Sequence, residues 1–288
     1  MKLHSFVGFA MMWLAACLAL MPAANADDAA SPQTLRLAIV NTPKMSGLID
    51  ALAADFEKQS GIKLAIYSGE DVYERARAGE ADIVISHYGK EGVKAFVQEG
   101  LGDWPQMVFA NQLVIAGHKS DPAGIKGMAS ATAAFAKIAQ SKAPFVANDL
   151  PGVSYLTQVL GAGAGVETAE DWFLEHQAAK GQAVRLAEER KGYVIWGALP
   201  FMRFLSKHPD SEMEIMVSAD SLLQRVMAAI VVNPEKIKGV NRQAADRFRS
   251  YLVSARTQAL IANYRSPGAD VQLWWPSARN NAAEGREE

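Results

Sequence analysis

Residues 35–69 read LRLAIVNTPKMSGLIDALAADFEKQSGIKLAIYSG. The stretch begins and ends with short apolar runs that are typical of buried strands. Between these runs, Leu48, Leu52 and Phe56 recur every four residues, which predicts one apolar face of a helix. Gly61 follows the helix at the position where a left-handed backbone suits glycine. A strand, a helix and a second strand in this order predict a parallel pair joined by a crossover helix.

The same alternation of strand and helix patterns continues along the chain, so we expect an α/β protein with mostly parallel sheets flanked by helices. Residues 41–44 are predicted to form a loop, and residues 193–195 a strand. The polar segment 167–182 is predicted to be helical, with Trp172 and Phe173 as its apolar anchors. The strand-to-helix turns would all face one edge of the sheet, where ligands bind in open α/β folds.

The N-terminus has the pattern of an export signal. Residues 6–21 are apolar apart from Gly8, a run shorter than the roughly 20 residues of a membrane span. Ala24 and Ala26 then give the small-x-small pattern of a signal peptidase site. We therefore predict a signal peptide at 1–26, cleaved after Ala26, a tether at 27–34 and a periplasmic location.

Residues 14–17 (LAAC) leave open a second route, in which Cys17 is lipidated and anchors the protein. The apolar residues that follow Cys17 favour the cleaved, soluble form, because a lipidated cysteine is usually followed by a polar tether. Removing 26 of the 288 residues leaves 262 and no cysteine. The mature chain then has neither a disulfide framework nor a cysteine-based metal site.

Composition and motifs exclude several classes of protein. The 29 Lys and Arg residues nearly balance the 31 Asp and Glu residues, and the chain has no basic block, which argues against nucleic-acid binding. No nucleophile elbow, zinc-protease motif or phosphate-binding loop is present. The histidines are scattered, at His4, His87, His118, His176 and His208. We expect no enzyme activity, no metal and no other cofactor.

Polar residues follow the predicted strands, where they can face a ligand. The candidate ligand-binding residues are Asn41, Thr42, Ser46, Ser68, Gly69, His87, Asn148, Asp149, Ser154 and Tyr193. Each also has an ordinary structural explanation: Asn and Ser cap helices, Gly allows turns, and Tyr packs in cores. Both explanations stay open at this point.

Ten short segments, in order along the chain, resemble periplasmic tungstate-binding proteins of ABC transporters. They are LRLA (35–38), SGLID (46–50), FEKQSGIK (56–63), GEADIV (79–84), FVQEG (96–100), LVIAG (113–117), DPAGIKG (121–127), APFV (143–146), VVNP (231–234) and ALIANY (259–264). The resemblance implies a two-lobed type II periplasmic binding protein that closes on its ligand.

From this resemblance we expect lobe 1 to comprise residues 35–114 and about 219–276, lobe 2 about 115–218, and a disordered tail 277–288. The implied function is capture of a tungstate- or molybdate-like oxyanion by a monomer, which delivers it to an ABC transporter permease. The alternative is a receptor-like sensory or protein-interaction module of the same fold, without a transport role.

The segments that bind ligand in that family have diverged here. The family's threonine and serine run corresponds to residues 39–45, and Asn148 stands where the family has an arginine. The family's Tyr-Thr-Leu-Thr-Asp-Arg segment corresponds to residues 193–198, which read YVIWGA. Backbone N–H groups at a helix N-terminus can still hold an oxyanion. The divergence nevertheless predicts a changed ligand.

Overall fold

The computed structural model describes residues 34–167, 171–174, 177–267 and 272–278, which contain ten strands and ten α-helices. The strands are β1 (Thr34–Ile39), β2 (Lys63–Ser68), β3 (Ile83–His87), β4 (Gln106–His118), β5 (Phe145–Val146), β6 (Phe173–Leu174), β7 (Tyr193–Gly197), β8 (Met213–Val217), β9 (Gln224–Val231) and β10 (Trp275–Pro276). The helices are α1 (Asn41–Met45), α2 (Leu48–Ser60), α3 (Val72–Arg77), α4 (Val93–Gln98), α5 (Ala131–Ser141), α6 (Pro151–Ala164), α7 (Gly181–Glu189), α8 (Ala198–Lys207), α9 (Arg242–Val253) and α10 (Ala255–Asn263).

The predicted signal peptide, the tether up to residue 33, His176 and the tail beyond residue 278 lie outside the described residues. None of the helices in the described ranges is long and apolar enough to cross a membrane.

The strands form a mixed sheet in the order β2-β1-β3-β9-β4-β7-β5-β6, and β8 and β10 also pair with β4. Parallel pairing joins β1 to β2 and β3, and joins β5 to β6 and β7. Strands β4 and β9 run antiparallel to each neighbour with which they pair. The α/β character is as predicted, but these two antiparallel strands make the sheet mixed rather than mostly parallel.

Strand β4 belongs to both halves of this sheet. Residues 106–112 of β4 pair with β9, and residues 113–117 pair with β7. We call β1, β2, β3, β9 and β10 the first half-sheet and β5, β6, β7 and β8 the second half-sheet. The change of partner falls between residues 112 and 113 of β4, and the predicted lobe boundaries stay a prediction.

The first crossover forms as the sequence predicts. Leu48, Leu52 and Phe56 are buried on one face of α2, and Gly61 ends that helix with φ of 72°. The loop predicted at residues 41–44 is instead the short helix α1. Pro43 lies in its first turn, where a missing N–H costs no helical hydrogen bond.

The helix predicted at residues 167–182 is wrong for the described part of that segment. Residues 173 and 174 form β6, and helix α7 begins only at Gly181. Trp172 is buried edge-on against Phe135, with 5.6 Å between the ring centroids, and its carbonyl accepts the Phe145 N–H. This aromatic packing holds the chain extended beside β5 and overrides the local helical composition.

The C-terminal segment packs on the first half-sheet, as the sequence predicts. Trp274 is 1% exposed and lies edge-on to Phe109, with 5.3 Å between the ring centroids. Its indole N–H donates to Ser46 Oγ at 3.1 Å, and β10 pairs with β4. The end of the described chain therefore fixes the turn that connects α1 to α2.

A buried carboxylate links three elements of the first half-sheet. Asp82 is fully buried and accepts from the Arg36 side chain, from the Arg36 backbone N–H (2.7 Å) and from the Asn241 N–H (2.8 Å). Burying a charge is costly unless it is paired and hydrogen-bonded in this way. Asp82 therefore joins β1, the start of β3 and the turn before α9.

We expect Asp82→Asn to lower the free energy of unfolding by about 2–4 kcal/mol, because it leaves buried donors and the Arg36 guanidinium without their acceptor. Glu80→Gln is the matched control, since the Glu80–Arg75 ion pair is exposed and contributes about 1 kcal/mol or less. Urea denaturation measures both variants. Equal losses in the two would contradict the role of Asp82.

Candidate ligand-binding site

Polar groups at the carboxyl ends of β1 and β2 meet through hydrogen bonds. Asn41 Oδ1 accepts from Ser68 Oγ at 3.0 Å, and Asn41 Nδ2 donates to Glu70 Oε1 at 3.1 Å. Glu70 also pairs with Lys90 at 3.0 Å, and the Gly69 N–H donates to the Ile39 carbonyl. The structure thus brings the predicted residues Asn41, Ser68 and Gly69 together, and it adds Glu70 and Lys90, which the sequence analysis missed.

Helix α8 lies against helix α1 beside this cluster. Arg203 of α8 donates to the Met45 carbonyl of α1 at 3.1 Å. A cavity of about 10 Å³ between them is lined by Thr42, Asn111, Gln112, Ala198, Leu199, Leu273 and Trp274. Thr42 therefore faces the junction between the first half-sheet and the helix that follows β7.

His87 is the last residue of strand β3 and lies opposite Met227 of β9. Its Nε2 atom is buried and has no hydrogen-bond partner in the described part of the chain. Burial and, second, the charge of Arg225 together lower the pKa of His87 to about 3, against an opposing contribution from the Asn111 side chain. The imidazole is therefore neutral and can donate or accept a hydrogen bond without adding charge.

Arg225, on strand β9, is the main residue that the sequence analysis missed. It lies opposite Asn111 of β4, and it is partly buried. A Cβ atom added to Gly152 would lie 2.4 Å from Arg225 Nη2, so the guanidinium packs against the first turn of α6. The available signal was one arginine immediately before the apolar run at residues 226–232.

Ser46 and Asn148 are buried inside the scaffold. Ser46 Oγ donates to the Pro43 carbonyl and accepts from Trp274, while Asn148 bonds the Ile195 carbonyl (3.1 Å) and the Lys180 N–H (2.9 Å). Their side chains are occupied by the protein itself. Both residues hold ligand-side loops in place rather than facing the junction.

Asp149 and Ser154 lie at the start of α6. Asp149 is exposed, and Ser154 Oγ donates to the Asn148 carbonyl at 3.5 Å. No side chain caps this helix, whose N-terminal cap residue is Leu150. In the first turn of α6, Pro151 has no N–H, and the Val153 and Ser154 N–H groups donate to the Leu150 carbonyl at 2.7 and 2.9 Å. Among these residues, the Gly152 N–H is therefore the donor that remains available to a ligand.

Tyr193 is separated from the other candidates. It is the first residue of β7, whereas Asn148 follows the carboxyl end of the parallel strand β5. Its hydroxyl donates to Asp121 Oδ1 at 2.6 Å and accepts from the Ala123 N–H at 2.8 Å. Because the amino and carboxyl ends of parallel strands lie at opposite edges, Tyr193 lies at the edge of the second half-sheet opposite to Asn148.

Among the described residues, no group of three or more His, Cys, Asp or Glu side chains is arranged to hold a metal ion. The geometry instead brings polar strand ends and an uncapped helix to the place where the two half-sheets meet. This arrangement is that of a type II periplasmic binding protein, in which a ligand is bound between two α/β parts.

Comparisons with known proteins agree with this class. The chain belongs to the bacterial extracellular solute-binding proteins, whose family model matches residues 37–264. A Haloferax volcanii protein, named as a candidate ABC transporter anion-binding protein, is 31% identical over 86% of this chain and 73% of its own. The tungstate-binding protein TupA of Peptoclostridium acidaminophilum is 26% identical over 89% of this chain and 90% of its own.

A solved structure gives the same result. The tungstate-binding protein TupA from Desulfovibrio alaskensis aligns with a TM-score of 0.74 at 27% identity, over 85% of this chain and 99% of the other. The predicted fold class and the resemblance to the tungstate-binding family are thereby confirmed. The individual site residues stay predictions.

We expect Tyr193→Phe to lower the free energy of unfolding by about 1–2 kcal/mol, because it removes the donor to Asp121 and the acceptor of the Ala123 N–H. Ligand affinity should not change, since Tyr193 lies at the opposite edge of the sheet. Urea denaturation and calorimetric titration measure the two quantities. A loss of ligand affinity with an unchanged free energy of unfolding would show that Tyr193 does contact the ligand.

His87 predicts a pH dependence of stability. Its pKa is about 3 in the folded chain and 6.5 ordinarily, so the unfolded chain binds an extra proton below pH 6.5. This contribution to stability is present above pH 6.5 and is lost as the pH falls towards 3, at about 1.4 kcal/mol per pH unit.

The measurement compares wild type with His87→Gln by urea denaturation at pH 7, 6, 5 and 4. The stability advantage of wild type over the variant should shrink at each step below pH 6.5. His118→Gln is the matched histidine variant, and a change of the same size there would refute the assignment to His87.

Proposed function

We propose that the protein is an exported solute-binding protein of an ABC-type uptake system, which captures a small oxyanion between two lobes and delivers it to a permease. The lobes are residues 35–114 with about 219–276, and residues about 115–218. Capture would proceed by closure of the lobes around the strands that join them. The protein performs no chemistry on the ligand.

The family membership and the names of the relatives support this proposal. One relative is named for binding anions and two for binding tungstate. Export follows from the signal-peptide pattern that ends at Ala26, and delivery to a permease follows from the transporter class of these relatives.

The observation that carries the oxyanion proposal is the position of helix α6. This 14-residue helix begins without a side-chain cap, and Gly152 in its first turn packs against β9. Strand β9 pairs with β3, whose end carries His87. The positive end of the helix dipole therefore opens at the junction, where it favours an anion.

The structure supports a smaller contact set than the sequence predicts. The proposed ligand contacts are Asn41, Thr42, Ser68, Gly69, His87, Asp149 and Ser154. Ser46 and Asn148 support the loops that carry these contacts. Tyr193 is left out because its strand position is remote.

The test is a thermal-shift screen of the full-length mature chain, followed by calorimetry. The panel contains tungstate, molybdate, sulfate, phosphate and a set of neutral metabolites. At 100 times the dissociation constant a ligand adds about 2.7 kcal/mol, which raises the melting temperature by about 5–10 °C. Stabilisation by an oxyanion and not by neutral compounds is the expected result.

Two outcomes would contradict the proposal. Stabilisation by a neutral metabolite alone would refute the proposal that the ligand is an oxyanion. No stabilisation by any compound would favour the receptor-like or protein-interaction module over transport.

A further inference from the structure

Arg225 of β9 carries a partly buried charge on which the Glu70 carboxylate acts electrostatically. Within the described residues, its guanidinium takes part in no hydrogen bond and no ion pair. Burial lowers the pKa of the Arg225 guanidinium from its ordinary value, and the charge of Glu70 opposes that shift. A buried charge is costly unless an opposite charge accompanies it, so this position calls for an anion.

The guanidinium also lies against the positive end of a helix. Gly152, the second residue of α6, leaves the space that Arg225 occupies, because a Cβ there would lie 2.4 Å from Nη2 and 2.9 Å from Cζ. The helix N-terminus carries a partial positive charge, and no side chain caps it. The guanidinium and the helix N-terminus are both positive, so they repel each other. An anion bound beside them is attracted by both groups and offsets this repulsion.

Two neighbouring side chains each carry a buried polar atom that has no hydrogen-bond partner within the described residues. In Asn111, the cross-strand partner of Arg225, this atom is Oδ1, and the residue is only 8% exposed. In His87, which lies opposite Met227 and two residues from Arg225, it is Nε2, and the Asn111 side chain also acts on this imidazole. Alternate residues of a strand share a face, so all three side chains lie on one face of the sheet.

Neither Lys90 nor His87 supplies an unpaired positive charge here. Lys90 binds the Glu70 carboxylate at 3.0 Å, and that carboxylate also accepts from Asn41. The His87 imidazole is neutral because burial lowers its pKa to about 3. Among these residues, Arg225 therefore carries the unpaired charge at the start of α6.

We propose that Arg225 is the anion-binding group of this protein, and that it holds a small oxyanion beside the start of α6, where the Gly152 N–H is a second donor. This inference rests on the proposed function and names the residue that recognises the ligand. The planar guanidinium donates two parallel hydrogen bonds to two oxygens of one anion. His87 donates one more hydrogen bond to the anion. Asn111 donates another when its side-chain amide is rotated by 180°, so that the NH2 group takes the place of Oδ1.

The first experiment measures oxyanion affinity and ligand-free melting temperature for the full mature chain and for Arg225→Met. The probes are sodium tungstate, molybdate, sulfate and phosphate. Arg225→Met should weaken binding of the stabilising anion about 100-fold or more. Its ligand-free melting temperature should rise, because the variant removes an uncompensated buried charge. Arg190→Met, which removes an exposed arginine at the end of α7, should leave both quantities at the wild-type values.

A second variant tests the position of the guanidinium without removing its charge. Gly152→Ala should displace Arg225 and weaken anion binding at least about 10-fold. Gly163→Ala is the matched control in the same helix, where the nearest atom would be Thr132 Cγ2 at 3.2 Å. It should retain wild-type affinity.

The outcomes separate this inference from the proposed function. If wild type binds an anion and Arg225→Met binds it equally well, the role of Arg225 is refuted and the transport proposal stands. If wild type binds none of the four anions, both are refuted. A lower ligand-free melting temperature in Arg225→Met, with unchanged affinity, would make Arg225 a structural residue.

Discussion

The antiparallel pairing of β4 with β9 is the constraint on which the rest of the structure depends. Its register sets Asn111 opposite Arg225 and Phe109 opposite Met227, and β9 in turn sets Met227 opposite His87. Beyond residue 112, β4 leaves β9 and pairs with β7, so the same strand carries the second half-sheet. One backbone register therefore fixes both the junction between the half-sheets and the polar side chains at that junction.

Packing around the junction explains why several polar residues there are structural. The Trp274 indole N–H, near the end of the described chain, donates to Ser46 Oγ. The Asn148 side chain donates to the Ile195 carbonyl and accepts from the Lys180 N–H. These buried hydrogen bonds keep two turns in fixed positions. Rigid turns and an unsatisfied charged group are the combination expected of a binding site, because the protein places donors before the ligand arrives.

The fold was largely predictable and the site only partly so. The crossover of residues 35–69, the Gly61 helix end and the burial of Trp274 all follow from local pattern. The segment 167–182 was misjudged because Trp172 packs against Phe135, a contact 37 residues apart that composition does not reveal. Strand β7 was also predictable from local pattern, whereas the edge of the sheet at which Tyr193 lies follows from its pairing with β5.

The sequence by itself determined the α/β class and the family resemblance. It also predicts a changed ligand, because Asn148 stands where the family has an arginine. Only the tertiary structure revealed that Arg225, 77 residues further along the chain, packs against the first turn of the helix that follows Asn148. Helix and strand patterns are local and can be recognised from neighbouring residues. The charge of a binding site depends on which distant strands pair, and in this protein the register of β4 and β9 decided it.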